Sequence, residues 1–177
     1  MQIRRVVTGT SPDGKAFVAS DDLVDPITVQ LVPGGAFHRL WSSDDAATLP
    51  ASSAQSHAPA YFPPPGGVRF TITTIAPMDE PFPPGIDIVT ALEELEQKLP
   101  GMLAVADTSE PGMHTTDTID FNFVASGEIW LELDGGAEVF LRTGDCVVMN
   151  GTRHAWRNKS EDPCVVVGTL LGARRRP

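Results

Sequence analysis

Residues 114–124 read HTTDTIDFNFV, and polar and apolar side chains alternate along them. Successive side chains of a β-strand point to opposite faces of the sheet, so every second residue shares a face. The polar face carries His114, Thr116, Thr118, Asp120 and Asn122, followed by Val124. The apolar face carries Ile119, Phe121 and Phe123. We interpret this strand as the wall of a β-barrel whose interior holds a polar site.

A second segment near the C-terminus, Arg153 to Asn158, repeats this alternation. One face carries His154, Trp156 and Asn158, and the other carries Ala155 and Arg157. The side chains of His154 and Trp156 are therefore expected to point into the same interior as His114.

Short strands separated by turns are predicted over the rest of the C-terminal part. These predicted strands are residues 118–125, 128–133, 137–141, 146–149, 153–158 and 164–171. Glycine-containing turns join them, as at Asp134-Gly135-Gly136. Many short strands with such turns are typical of a β-sandwich or barrel.

The N-terminal part predicts further strands, a loop and one helix. The strands are residues 3–8 with 16–20, residues 27–32 with 36–41, and residues 68–75. Residues 42–67 are rich in Ser, Ala and Pro and predict a long surface loop, a lid or arm. We expect residues 1–112 to pack on a barrel formed by residues 113–171, the whole being one domain.

The single predicted helix covers Ile88 to Leu99. Its apolar face is predicted from the helical spacing of Ile88, Leu92, Leu95 and Leu99. The acidic residues of this segment are predicted to form its solvent face: Glu93, Glu94 and Glu96. Pro100 and Gly101 end the helical pattern.

The segment Met113 to Leu171 resembles the cupin family, small β-barrels that carry a metal site. The first family motif runs from a His-x-His pair through a carboxylate to a glycine, and it is matched by His114-Thr115-Thr116, Asp120 and Gly127. The second motif is matched by Gly144, Gly151, His154 and Asn158, with one residue fewer than usual between the glycines. The resemblance implies an all-β fold, the double-stranded β-helix or jelly-roll barrel of small single-domain cupins.

Two ligand positions depart from the family pattern. Thr116 stands where the family usually has its second His, and Asp120 stands where it usually has Glu. The resemblance therefore implies a metal site of His114, Asp120 and His154. Two His and one carboxylate suit one divalent ion of Fe, Mn, Ni or Zn and leave coordination positions open.

Thr116 at the missing ligand position would hold a water. The substrate pocket is predicted to include Thr116, Asn122 and Trp156. No catalytic residue beyond the metal ligands is identified.

Each candidate also has a structural interpretation. His114 and His154 would be core histidines in a cupin that has lost its metal, and Asp120 would be a cross-strand hydrogen-bond partner. His38 and His57 are interpreted as structural or surface residues.

Other residues near the motifs are also interpreted structurally. Parity turns Asp117 away from the interior, and Trp41 is interpreted as a core residue. Cys146 and Cys164 lie in apolar stretches and are interpreted as buried thiols in a reducing cytoplasm.

Composition narrows the function classes. The formal net charge is −10 in 177 residues, which disfavours nucleic acid as a partner. No apolar run approaches the ~20 residues of a membrane helix. The first ten residues carry two arginines without an apolar run after them, so no signal peptide is predicted. We expect a cytoplasmic protein whose partners are a small molecule and a second copy of itself, because Ile119, Phe121 and Phe123 need cover from outside the barrel.

The function expected from the resemblance is metal-dependent chemistry on a small oxygenated compound, an acid or keto compound. Lewis-acid reactions of a lyase, decarboxylase, dehydratase or isomerase are expected first. The alternatives are a non-haem iron dioxygenase acting on a small aromatic or keto substrate, and a small-molecule-binding cupin without catalysis.

Overall fold

The computed structural model describes residues 2–53 and 58–176. His57 therefore lies outside the described residues, and its surface interpretation stays a prediction. No helix in the described ranges is both long and apolar enough to cross a membrane. The cytoplasmic location also stays a prediction.

The described residues form ten strands and two α-helices. The strands are β1 Ile3–Thr10, β2 Ala16–Val24, β3 Ala36–Ser43, β4 Val68–Ile75, β5 Thr118–Ser126, β6 Glu128–Leu133, β7 Glu138–Arg142, β8 Cys146–Asn150, β9 His154–Arg157 and β10 Cys164–Gly172. The helices are α1 Ile88–Lys98 and α2 Met102–Val105, and a 3₁₀ turn covers Asp134–Gly136.

The strands form two packed antiparallel sheets and a separate hairpin. The larger sheet has the order β3-β4-β10-β5-β8, and the smaller has the order β7-β6-β9. The hairpin is β1-β2. Apolar side chains from both sheets form the main core between them: Val124, Ile129, Leu131, Leu141, Met149, Cys164 and Val166. The predicted all-β jelly-roll barrel is confirmed, and β3 and β4 contribute two strands of its larger sheet.

The second predicted hairpin is wrong. Residues 27–32 are not a strand, and only Ile27 makes a bridge, to Phe37 in β3. The chain turns back on itself instead, because the amide of Val32 donates to the carbonyl of Val29 and that of Gly35 donates to the carbonyl of Val32. Val29 is buried against α1 rather than in a sheet.

The helix was predicted in the right place, but only half of its predicted apolar face is buried. Asp87 caps α1 by accepting hydrogen bonds from the amides of Val89 and Thr90. The buried side chains are Ala91, Leu95 and Leu99, whereas Ile88 and Leu92 are exposed. The packed stripe is shifted because the small Ala91 faces the core. The short helix α2 was not predicted.

Two of the three glutamates expected on the solvent face of α1 make structural hydrogen bonds. Glu94 accepts from the amide of Gln30 and pairs with Lys98. Glu96 accepts from the amides of Gly101 and Leu103, and so fixes the start of α2. Glu93 is exposed, as predicted.

Two arginines, the buried Arg69 and the half-buried Arg39, fasten the end of the proline-rich loop to the larger sheet. Arg69 of β4 is 1% exposed and donates to the carbonyls of Ser43, Ala60 and Phe62, and to Asp44. Arg39 of β3 donates to the carbonyls of Ala58 and Ala60. Residues 58–62 are therefore held against the larger sheet, whereas the sequence predicted a long surface loop, a lid or arm, over residues 42–67.

The outer face of the larger sheet exposes large apolar side chains. Thr169 of β10 pairs with Phe70 on one side and with Phe121 on the other, so these residues share one face. Five side chains on this face are at least 39% exposed, and we call them the outer apolar face: Phe70, Phe121, Phe123, Val148 and Leu171. Cys146 lies opposite Phe123 and is exposed, so its predicted burial is wrong, whereas Cys164 is buried.

We propose that a second copy of the chain covers the outer apolar face, because monomers rarely leave such a face to water. Light scattering at micromolar concentration should give a multiple of the chain mass of 18.9 kDa. Phe121→Glu should shift the mass toward one chain. Phe82→Glu is the matched control, since Phe82 is exposed in a loop and does not belong to the sheet that carries this face. A wild-type mass of one chain would contradict the proposal.

Arg69→Met should lower the free energy of unfolding by about 3 kcal/mol, because it leaves several buried carbonyls without donors. Chemical denaturation followed by tryptophan fluorescence measures this change. Arg4→Met is the control, since the ion pair of Arg4 with Asp21 is exposed, and its midpoint should stay nearly unchanged. Equal denaturation midpoints for the two variants would show that the hydrogen bonds of Arg69 are not important for stability.

Candidate functional site

A cavity of about 340 Å³ lies between the sheets and the two helices. The polar face of β5 and the segment before it line one side, and β9 lines another. All six predicted site residues line this cavity: His114, Thr116, Asp120, Asn122, His154 and Trp156. The structure thus brings the predicted residues together, although their roles stay predictions.

The two histidines are held side by side by their own backbones. The amide of His114 donates to the carbonyl of His154 at 2.9 Å, and the amide of His154 donates back at 3.0 Å. Their ring centroids are 4.2 Å apart. The position of the two imidazoles next to each other is therefore determined by an antiparallel β-bridge of the backbone.

The histidine rings are also oriented by the backbone. Nδ1 of His114 lies 3.1 Å from the carbonyl oxygen of Gly112, and Nδ1 of His154 lies 2.8 Å from that of Thr152. Because a carbonyl only accepts hydrogen bonds, each Nδ1 carries the proton and donates. Each Nε2 keeps its lone pair, which is the form in which His binds a metal.

Burial keeps both rings neutral. It lowers the pKa of His114 to about 4, with a further contribution from the neighbouring His154, against the opposing effects of the Gly112 carbonyl and Asp120. Burial also lowers the pKa of His154, against the carbonyl of Thr152. At neutral pH the site therefore offers two uncharged imidazoles.

Asp120 is a buried carboxyl with an unsatisfied oxygen. It is 5% exposed, and its Oδ1 has no hydrogen-bond partner among the described residues. Burial raises the pKa of Asp120, whereas the Thr118 hydroxyl and His114 lower it. A buried oxygen without a partner is costly, so it indicates a place for a cation or a ligand donor.

The donors fit a transition metal in type, with two neutral imidazole nitrogens and one carboxylate oxygen. Within the described residues, however, no three or more His, Cys, Asp or Glu side chains stand close enough together to hold a metal ion. Thr116, at the position of the missing His, accepts a hydrogen bond from Thr118 at 2.8 Å. Metal binding therefore stays a proposal.

A further polar wall of the cavity was not predicted from the sequence. It is formed by Tyr61 of residues 58–62, here called the fastened segment, and by Thr71 and Thr73 of β4. Burial raises the pKa of Tyr61, and the hydroxyls of Thr73 and Thr71 lower it. The threonines could have been identified by parity, because Arg69, Thr71 and Thr73 alternate with apolar residues as in β5. Tyr61 lies in a segment without periodicity and gave no signal.

His38 and Asn158 lie outside the cavity. His38 is buried and pairs with Ile72, whose neighbours Thr71 and Thr73 line the cavity, so His38 is on the opposite face. Asn158 is buried and donates to the carbonyls of Ile75 and Asp162, outside the cavity lining.

Asp117 and Trp41 also lie outside the cavity. Asp117 is exposed and pairs with Arg175, whose guanidinium also donates to the carbonyls of Thr116 and Gly151. Arg175 is thus held beside the backbone of Thr116, although its side chain stays half exposed. Trp41 faces a groove beside the N-terminal hairpin.

Several relatives match parts of this chain. It is 40% identical over 97 residues to phomopsin biosynthesis cluster protein C' of Diaporthe leptostromiformis, which covers 50% of each chain. It is 46% identical over 52 residues to oryzines biosynthesis cluster protein J of Aspergillus oryzae, 29% of each chain. A cupin-domain-containing oxidoreductase, srdB of Neurospora crassa, is 34% identical over 71 residues, 40% of this chain and 36% of that protein. The chain therefore spans at most about half the length of these relatives.

Two solved structures cover nearly the whole chain. One is a putative ethanolamine utilization protein Q of Salmonella typhimurium, 9% identical, with 98% and 99% coverage of the two chains and a TM-score of 0.46. The other is the Cnp3 cupin domain of Schizosaccharomyces pombe, 9% identical, with 97% and 87% coverage and a TM-score of 0.47. These similarities are too weak to indicate a function or a ligand.

A family model matches the part of the chain that carries both motifs. Residues 102–170 match the Cupin domain model, Cupin_2. This range contains both histidines, Asp120 and strands β5 to β9, and it agrees with the jelly-roll arrangement of the two sheets. Residues 102–170 of the chain are therefore a cupin domain.

Proposed function

We propose that this cupin is a metal-dependent enzyme that acts by Lewis-acid chemistry on a small oxygenated compound, an acid or keto compound, held in the cavity. The observation that carries the proposal is the pair of neutral imidazoles whose Nδ1 atoms are engaged by backbone carbonyls. Two adjacent Nε2 lone pairs and an unpartnered carboxylate oxygen in the same cavity suit one divalent ion of Fe, Mn, Ni or Zn.

His114 and His154 would hold the metal through Nε2, and Asp120 would supply the carboxylate oxygen. A bound divalent ion would polarise a carbonyl or enol oxygen of the substrate. The carbonyls of Gly112 and Thr152 hold both rings in the tautomer that binds a metal, so metal binding requires no change of tautomer. Asp120 has to move closer to the histidines, and it has no hydrogen bond at Oδ1 that would oppose this movement.

The walls of the cavity would orient the substrate and exclude water. Trp156 stands edge-on to His154, with ring centroids 6.2 Å apart, and would limit the approach of the substrate to the metal. Tyr61 packs edge-on against Phe37 and Phe62, so the fastened segment adds aromatic rings to the cavity wall. Apolar walls lower the local dielectric constant and so strengthen each electrostatic contact inside the cavity.

The names of the relatives support small-molecule chemistry. Two of them are described as biosynthesis cluster proteins, and a third is described as an oxidoreductase. The oxidoreductase favours the second candidate function, an iron-dependent dioxygenase. Zinc as the bound metal would exclude the dioxygenase, because zinc has no redox chemistry and supports only the Lewis-acid reaction.

Elemental analysis of protein produced in metal-supplemented medium should find about one divalent ion per chain. His154→Ala should weaken metal binding by ~100-fold or more while the chain stays folded, because one of two imidazole ligands is lost. A metal-free protein that binds none of the four ions on titration would leave only the non-catalytic binding function. If His154→Ala fails to fold, circular dichroism will show that His154 is a structural core residue.

Asp120→Asn should also weaken metal binding, because it removes the anionic ligand. Asp117→Asn is the matched control, since this carboxylate is three residues away but faces Arg175 at the surface. Equal metal affinities of the two variants would exclude Asp120 as a ligand.

Thr116→His should tighten metal binding by restoring the usual ligand number of the family.

A further inference from the structure

We infer that the cavity has a second polar subsite, centred on the Asn122 amide and separate from the histidine pair, that binds an uncharged carbonyl or hydroxyl oxygen of a largely apolar, ring-sized ligand. The inference rests on the proposed function in that it concerns the ligand of the same cavity. It names the part of the ligand that the metal would not touch.

The amide of Asn122 is a buried donor without an acceptor. Nδ2 of Asn122 has no hydrogen-bond partner among the described residues, and the side chain lines the cavity. Leaving a buried amide donor unpaired is unfavourable, so the native state of the site is completed by an acceptor. An oxygen atom of a ligand in the cavity is that acceptor.

The sheet makes room for this amide. Gly168 of β10 pairs with Asn122 on one side and with Thr71 on the other. A Cβ atom at residue 168 would come within 2.9 Å of Oδ1 of Asn122 and 3.1 Å of Oγ1 of Thr71. A glycine between two strands is therefore needed for both polar side chains to stand on the cavity face.

The subsite has no positive charge for an anion. Among the described residues that line the cavity, none is Lys or Arg. Thr71 lies in the same row as Asn122, across Gly168, and the hydroxyls of Tyr61 and Thr73 also line the cavity. The nearby Arg39 and Arg69 are already engaged by carbonyls of residues 58–62. A carboxylate or phosphate bound here would be a buried anion beside Asp120, without a cationic partner.

Aromatic and aliphatic side chains form much of the remaining cavity wall. Phe37, Phe62 and Trp156 contribute aromatic surfaces, and Leu95 and Met102 close the side next to the helices. The volume of about 340 Å³ lies within the range of small-ligand pockets, ~300–1,000 Å³. A ring-sized apolar molecule with an uncharged oxygen function satisfies both the walls and the amide.

Isothermal titration of the full chain with benzamide and with benzoate tests the subsite, since the two probes match in size and differ in charge. Each titration is done with a chelator present and with one equivalent of Zn²⁺. We expect benzamide to bind in both states, and at least about tenfold more tightly than benzoate in the metal-free state. Benzoate binding as tightly as benzamide without metal, or no binding of either probe at millimolar concentration, would overturn the inference.

Variants assign the binding to the amide. Asn122→Leu and the nearly isosteric Asn122→Asp should each weaken benzamide binding by about tenfold. Asn150→Leu is the matched control on the neighbouring strand β8, since Asn150 is exposed, and its affinity should equal that of the wild type. Unchanged benzamide affinity in a folded Asn122→Asp chain would remove Asn122 from the subsite.

The two proposals fail separately. A chain that binds benzamide through Asn122 but takes up no metal retains the subsite and loses the proposed metal enzyme. A chain that binds metal but shows no preference for benzamide in the metal-free state retains the metal site and loses the subsite.

Discussion

The antiparallel pairing of β10 with β4 on one side and β5 on the other is the constraint on which the cavity depends. Its register places Thr71, Gly168 and Asn122 in one row across three strands, and Leu170 directly opposite Asp120. Because side chains alternate with a period of two, a slip of one residue in β5 would turn Asp120 and Asn122 outward and Phe121 and Phe123 inward. The polar cavity and the outer apolar face are thus two results of one register.

The histidine pair uses a different constraint, the bridge between the segment before β5 and the start of β9. This bridge connects the strand of the larger sheet to the smaller sheet, where β9 pairs with β6. The backbone that brings His114 and His154 together also supplies the carbonyls that orient their rings. Local chain geometry therefore determines the tautomers of both histidines, without a neighbouring carboxylate hydrogen-bonded to either Nδ1.

Strand parity predicted the part of the site that comes from regular strands. The alternation in residues 114–124 and 153–158 identified six cavity residues, because a barrel interior imposes one polar face on each wall strand. Tyr61 could not be predicted, since its position depends on Arg39 and Arg69, which bind the irregular segment through its carbonyls. The same reasoning failed for residues 27–32, whose alternating side chains pack against α1 rather than a neighbouring strand.

Two neutral imidazoles with free Nε2 lone pairs face the cavity between the sheets. Two-bond ¹H–¹⁵N NMR spectra of the histidine rings at pH 7, assigned with His114→Gln and His154→Gln, test it directly. The account predicts that both rings are neutral and protonated at Nδ1 in the presence of a chelator, and that Zn²⁺ shifts the Nε2 signals of both rings together. Rings that are protonated at Nε2, or that carry a positive charge at this pH, would contradict it.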